Sequence, residues 1–193
     1  MSSLTISGDT SGQITIDAPA VSGTNTQTLV AATGTLAPLI SGTAVASTSG
    51  TSIDFTSIPS WVKRITVMFN GVSLNGTSNF LIQIGSGSVT STGYISSSIV
   101  TETTGNTNLT STSGFAVRNS SIATSTVYGS LSIFLISGTT YIASHTFGDV
   151  VRTCATSGGG TSPALSAALD RVRITTVNGT DTFDAGSINI MYE

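Results

Sequence analysis

Ile58-Pro59-Ser60-Trp61-Val62-Lys63-Arg64-Ile65-Thr66-Val67-Met68-Phe69 decides the fold class of this chain. From Lys63 onward its side chains alternate, with Ile65, Val67 and Phe69 on one side and Arg64, Thr66 and Met68 on the other. A period of two marks a strand with one buried face. Leu81-Ile82-Gln83-Ile84 follows after an Asn/Gly loop. The two segments together predict the first core hairpin of an all-β domain. The same stretch holds the only Trp and the only adjacent pair of basic residues.

Working outward, further strands are expected at residues 44–47, 52–55, 64–69, 80–84, 94–99, 114–118, 128–136, 141–147, 149–155, 170–177 and 187–192. They recur about every 10–15 residues, with Gly, Asn and Ser between them, which is the spacing of an antiparallel sandwich or jelly roll. Helix is confined to two candidate turns, 58–61 and 164–169, each next to a proline. Leu131, Ile133 and Leu135 share one face, as do Val172 with Ile174, and Ile188 with Ile190 and Tyr192. Phe134, Ile136 and Met191 make the opposite face oilier than a free surface needs, so a second layer or a subunit contact is expected to cover it.

Before residue 41 the pattern is ragged, with Leu4-Thr5-Ile6, Gln13-Ile14-Thr15-Ile16 and Thr28-Leu29-Val30 as short strands. Such strands bury too little to stand alone. Residues 1–40 therefore read as an extended N-terminal arm ordered by oligomerisation or docking, and residues 41–193 as the β-sandwich, jelly-roll-like domain.

Composition narrows the function classes. Roughly a third of the residues are Ser or Thr and only 8% are charged, so solubility rests on hydroxyls and backbone. A net charge of −3 with six scattered basic residues offers no cationic stripe, which argues against nucleic-acid binding. No run is long and apolar enough for membrane insertion, and the N-terminus lacks the basic and apolar segments of a signal peptide. Cys154 is the single cysteine and reads as a small apolar strand residue.

No catalytic constellation emerges, so no enzyme and no cofactor are expected. His145 lies in a strand pattern on one face with Tyr141, Ala143 and Phe147, and no nucleophile-elbow pattern accompanies it. Cys154 and one His cannot make a zinc site. Asp181-Thr182-Phe183-Asp184 is the nearest carboxylate pair, but beside Asn178-Gly179 it reads as turn chemistry. Gly158-Gly159-Gly160 lacks the Lys and helix of a phosphate loop and reads as a plain loop. Asn75, Asn108, Asn119 and Asn178 match the glycosylation pattern by coincidence in a chain so rich in these residues.

Residues 53–73, Ile-Asp-Phe-Thr-Ser-Ile-Pro-Ser-Trp-Val-Lys-Arg-Ile-Thr-Val-Met-Phe-Asn-Gly-Val-Ser, form one motif. A closing motif runs over residues 170–190, from Asp170-Arg171-Val172-Arg173-Ile174 to Ile188-Asn189-Ile190. Together they resemble the C-terminal domain of tail-fibre proteins of tailed bacteriophages and prophages. Thr92-Gly93-Tyr94 and Ser113-Gly114-Phe115 fit the same pattern, and residues 4–12 and 18–26 resemble the short repeats that precede such domains. The resemblance implies a virion component, assembled in the bacterial host cytoplasm as a homotrimer, whose N-terminal arm attaches to other virion proteins of the tail, baseplate or capsid. Larger family members place a long shaft between arm and sandwich, and this chain has none.

Two functions follow as expectations. In the first, the sandwich recognises a host-surface polysaccharide, with three weak sites combined through avidity. Aromatic stacking and loop amides would then make the contacts, with Tyr94, Asn106, Asn108 and Asn119 as candidates. In the second, the sandwich is purely structural and binds no receptor. A polysaccharide depolymerase is a third class, disfavoured because the chain is short for a β-helix and its nearest acidic pair reads as turn chemistry. In this reading Trp61 plugs the core beside Pro59 and Val62, while Lys63 and Arg64 make surface or interface contacts.

Overall fold

A computed structural model describes residues 3–7, 13–17, 37–103, 105–119 and 122–193. The chain divides into two compact units, Met1–Leu36 and Ala37–Glu193. In the first, β1 (Ser3–Ser7) pairs antiparallel with β2 (Gln13–Asp17). The expected strand at 28–30 lies outside the described residues.

The second unit is an antiparallel β-sandwich with no helix among the described residues. In chain order it contains β3 (Ile40–Ser41), β4 (Val45–Ala46), β5 (Ile53–Phe55), β6 (Arg64–Leu74), β7 (Phe80–Ser86), β8 (Ser88–Val89) and β9 (Ile95–Glu102). There follow β10 (Gly105–Ser111), β11 (Phe115–Val117), β12 (Val127–Ser137), β13 (Thr140–Asp149), β14 (Cys154–Thr161), β15 (Arg171–Thr176) and β16 (Phe183–Tyr192). One sheet runs β10-β9-β14-β13-β12-β6-β16-β3, with β4 also on β16. The other runs β11-β7-β15-β5, with β8 on β7.

The alternation in residues 64–69 places faces correctly, because Ile65, Val67 and Phe69 are buried. The expected hairpin does not form. β6 sits between β12 and β16, while β7 lies in the opposite sheet between β11 and β15. Phe80, Ile82 and Ile84 are apolar on the core face, and Leu81 and Gln83 are buried on the other, so β7 is enclosed on both sides. A hairpin would set Phe69 and Phe80 side by side. Facing across the core, their rings instead meet edge to face at 5.3 Å, and Phe147 lies 5.0 Å from Phe69. Each such ring contributes about 1.5–3 kcal/mol by leaving water.

Chain closure also runs through this region. Lys63 and Arg64 donate their N–H groups to the Glu193 carbonyl at 2.8 and 2.9 Å, and the Arg64 side chain pairs with the Glu193 carboxylate. The C-terminal residue is thus fixed to the sheet, and both basic residues stay at the surface as expected.

Several expectations need correction. Trp61 is not a core plug: it is 39% exposed and leans on Tyr192 with ring centroids 6.1 Å apart. The turn closed by Val62 N–H on the Pro59 carbonyl (3.1 Å) directs Val62 inward instead, beside buried Ile58. The candidate helices are a turn at 60–61 and bends at 166–168. Residues 150–153 form a turn, not the start of a strand, because the Asp149 carboxylate accepts the N–H groups of Val151 (2.9 Å) and Arg152 (3.2 Å).

The triglycine is strand, not loop. Gly158 and Gly160 face the core where there is no room for a side chain. A Cβ on Gly158 would stand 2.3 Å from the Ser97 carbonyl oxygen and 2.7 Å from His145 Cε1. The glycines let β14 lie flat under those neighbours.

At this end the two sheets meet through hydroxyls. Ala116 and Arg118 of the β11 region donate N–H groups to Ser96 Oγ (3.2 Å) and Ser98 Oγ (2.9 Å) of β9. Thr156 Oγ1 of β14 donates to the Arg118 carbonyl at 2.9 Å. Side chains stand in for a backbone ladder that the geometry of the corner does not allow, which satisfies buried polar groups.

Candidate functional site

The antiparallel register lines up one row of outward-facing side chains across the large sheet. Thr110 of β10 lies opposite Ser97 of β9, Ser97 opposite Gly159 of β14, and Gly159 opposite Ser144 of β13. Ser144 then faces Ser132 of β12, and Ser132 faces Thr66 of β6. Six strands therefore present five hydroxyls with a gap at Gly159. At about 4.8 Å per strand the row extends roughly 24 Å. A second row beside it runs Asn108, Ile99, Ser157, Thr146 and Ser130. Neither row contains a charge.

Where Gly159 omits a side chain the surface sinks. An open trough of about 760 Å³ is lined by Ile95, Ser96, Ser97, Thr110, Ser111, Thr112, Gly159 and Gly160. A smaller hollow of about 280 Å³ adjoins it, bordered by Ile99, Asn108, Leu109 and Ser157 among others. A third, of about 190 Å³, lies over Ser130, Ser132, Ser144, His145 and Thr146. All three lie on this sheet. The chemistry they offer is hydroxyl and amide hydrogen bonding with aliphatic side walls, suited to a neutral polyhydroxylated ligand.

The four expected contact residues separate into two pairs. Asn106 and Asn108 are exposed on β10, and Asn108 borders the smaller hollow. Tyr94 is not a surface platform: it is 1% exposed and edge-on to Phe115 at 5.2 Å. Its hydroxyl accepts the Ile84 N–H at 2.9 Å and donates to the Thr90 carbonyl at 3.1 Å, and burial pushes its pKa up to about 12. Gly93, with φ of 83°, makes the turn that sends the ring inward. Asn119, 3% exposed, is also structural. Its N–H donates to Asn79 Oδ1 (2.8 Å), its Nδ2 donates to the Ser78 carbonyl (3.3 Å), and its Oδ1 accepts from Ser125 Oγ (2.7 Å).

Polar clusters elsewhere are structural. Ser98 Oγ lies 3.0 Å from His145 Nε2, but both residues are buried and Nδ1 has no hydrogen-bond partner. No carboxylate orients the ring, and Ser98 Oγ already accepts from Arg118 N–H. Burial lowers the His145 pKa from 6.5 to about 4, so the ring is neutral near pH 7. The Cys154 thiol is buried and held above its usual range by that burial. Asp181 accepts the Ser78 N–H at 2.8 Å and an Asn178 Nδ2 hydrogen at 2.7 Å, while Asn178 Oδ1 accepts from Thr180 and Asp181. That is the turn chemistry expected of the Asn-Gly-Thr-Asp segment. Among the described residues no group of three or more His, Cys, Asp or Glu side chains could hold a metal, and no helix is long and apolar enough to cross a membrane.

On β12 and β13 the hydroxyls occupy the polar half of the alternation, which reads simply as solvent-facing, whereas β9 buries Ser96 and Ser98 and turns Ile95 and Ile99 outward beside Ser97, so its pattern gives no outer hydroxyl row. The available signal was Ser at every second position in Ser130 and Ser132. No protein-family model, no curated protein and no solved structure matches this chain.

Proposed function

We propose that this chain is a virion component of a tailed bacteriophage, a short tail-fibre or tail-tip protein that attaches to host-surface polysaccharide through the outer face of its large sheet. The observation that carries this reading is the uncharged hydroxyl row with the trough at Gly159. Such a surface fits a neutral glycan, whose own hydroxyls can donate to and accept from Ser and Thr side chains. The resemblance of residues 53–73 and 170–190 to tail-fibre C-terminal domains supplies the biological setting. In that setting the chain is a homotrimer whose N-terminal unit joins other virion proteins, and three shallow sites gain strength by avidity. Aromatic stacking by Tyr94 drops out of the mechanism, since its ring is in the core.

The test is binding of the purified full chain to immobilised bacterial surface polysaccharides, with Ser97→Gln filling the trough from an exposed position. Saturable binding that the substitution abolishes supports attachment at this face. Absence of binding across the tested polysaccharides at high protein concentration overturns it.

The alternative, a structural virion protein without a receptor, is favoured by a different observation. Ile95 (74% exposed), Ile136 (61%) and Ile142 project from the same sheet with no second layer over them among the described residues. A neighbouring virion protein seated there would cover them. Locating the chain in the particle separates the readings: a distal, free sandwich fits attachment, and one enclosed in the collar, baseplate or capsid fits the structural role.

A further inference from the structure

Across β10, β9 and β14 the second outward row sets Asn108 opposite Ile99, and Ile99 opposite Ser157. Side chains paired in this way across strands stand about 4.5–5.5 Å apart at Cβ. Ile99 is thus an aliphatic side chain held between an amide and a hydroxyl. Asn108 and Ser157 are exposed and Ile99 is half-buried, so all three can be reached from outside. They border the hollow of about 280 Å³, and Ser97 and Thr110 line both that hollow and the larger trough of about 760 Å³. The two depressions are therefore continuous through a pair of hydroxyls. Among the described residues no charged side chain lines either one.

We propose that the hollow at Ile99 is a subsite for an acetamido group, so that the glycan held on this sheet is a neutral one containing N-acetylhexosamine. An acetamido group is a methyl and an amide joined together, and the hollow offers a partner to each part. With the methyl against Ile99, the acetamido N–H donates to the Asn108 side-chain carbonyl or the Ser157 hydroxyl, and its carbonyl accepts from the Asn108 amide hydrogens. The sugar ring then lies over the adjoining trough, where its hydroxyls meet those of Ser97 and Thr110. A plain hexose brings a hydroxyl to the place of the methyl, and Ile99 gives that hydroxyl no partner in exchange for water. An acidic N-acetylated sugar gains nothing further, because no cation lines either depression to meet its carboxylate. The inference rests on the attachment reading and narrows it to a class of sugar.

The experiment is a methyl NMR titration of the isoleucine-labelled full chain with matched sugars. Oligomers of N-acetylglucosamine and of N-acetylgalactosamine are each compared with the oligomer of the parent hexose in the same linkage. One acetylated oligomer should bind at least about tenfold more tightly than its parent, the scale of discrimination that a single methyl group gives in an apolar pocket. It should also shift the Ile99 methyl resonances and show a direct contact between the acetyl methyl and Ile99. Ile99→Ser removes the partner of the methyl and Asn108→Val that of the amide. Each should weaken the acetylated oligomer about tenfold and leave the parent hexose oligomer within about twofold. Equal affinity within both pairs, no binding by any of the four oligomers, or equal losses for both members of a pair in the variants overturns the inference. If bacterial surface polysaccharide still binds and Ser97→Gln still abolishes that binding, only the acetamido subsite falls; if no polysaccharide binds, the attachment reading falls with it.

Discussion

Acidification from pH 7 to pH 4 should weaken this sandwich through His145. Its ring is enclosed by Ser98, Gly158 and Phe147; Nε2 is 3.0 Å from Ser98 Oγ, and Nδ1 has no partner. A proton added to the ring would be buried without an acceptor, which is why the folded-state pKa falls from 6.5 to about 4. The sign follows from proton counting. Above pH 6.5 neither state binds the proton, and between 6.5 and about 4 the unfolded chain binds it while the folded chain does not. Stability therefore falls over that window and levels off below it. At 1.36 kcal/mol per pH unit, the interval caps the loss at about 3 kcal/mol. Asp170, held below its ordinary 3.8 by the hydrogen bond from Arg171, loses its own contribution only at lower pH. Urea unfolding of wild type and His145→Gln at matched concentration, in steps from pH 7 to 4, isolates the effect. The stability difference between the two proteins should shift by up to about 3 kcal/mol in favour of the variant as pH falls. Parallel curves over the whole range would refute the reasoning.

Three further outcomes check other parts of the account. Gly158→Ala should cost about 1–3 kcal/mol in urea unfolding, because its Cβ would meet the Ser97 carbonyl oxygen at 2.3 Å; a change below about 0.5 kcal/mol contradicts the close packing. Tyr94→Phe leaves the buried Ile84 N–H without its side-chain acceptor and should lower stability by about 1–3 kcal/mol. Glycan binding should persist in that variant, and loss of binding with unchanged stability would restore Tyr94 as a contact. Arg173→Ala removes an exposed pair with Asp54 and should change stability by less than about 1 kcal/mol in the same assay.

What could be read from the sequence was which way side chains face. Ile65, Val67, Phe69, Leu131, Ile133, Val172, Ile174, Ile188 and Ile190 are all buried as their alternation requires. Alternation says nothing about which strand lies beside which, and that is why residues 64–69 and 81–84 read as a hairpin although they face each other across the core. β10 escaped notice because Gly-Asn-Thr-Asn has no apolar period; it is a strand only because the backbone of β9 pairs with it. The triglycine misled for a related reason. Glycine signals turns in isolation, and its strand conformation here depends on His145 and Ser97 filling the space above it. For the site, Asn106 and Asn108 fell on the accessible edge, whereas Tyr94 is drawn inward by Ile84 and Thr90 around a nearby turn, and Asn119 by Ser78 and Asn79, which are distant in sequence and beyond local reading.

The proposed attachment sets a neutral surface glycan on the hydroxyl-lined outer sheet. It is tested most directly by flow cytometry of labelled full-length protein on a panel of bacterial strains, comparing wild type with the exposed double substitution Ser97→Gln and Ser144→Gln. The account predicts saturable binding to at least one strain, competition by that strain's extracted polysaccharide, and loss of both in the substituted protein. Equal binding by the two proteins, or no binding to any strain, would contradict it.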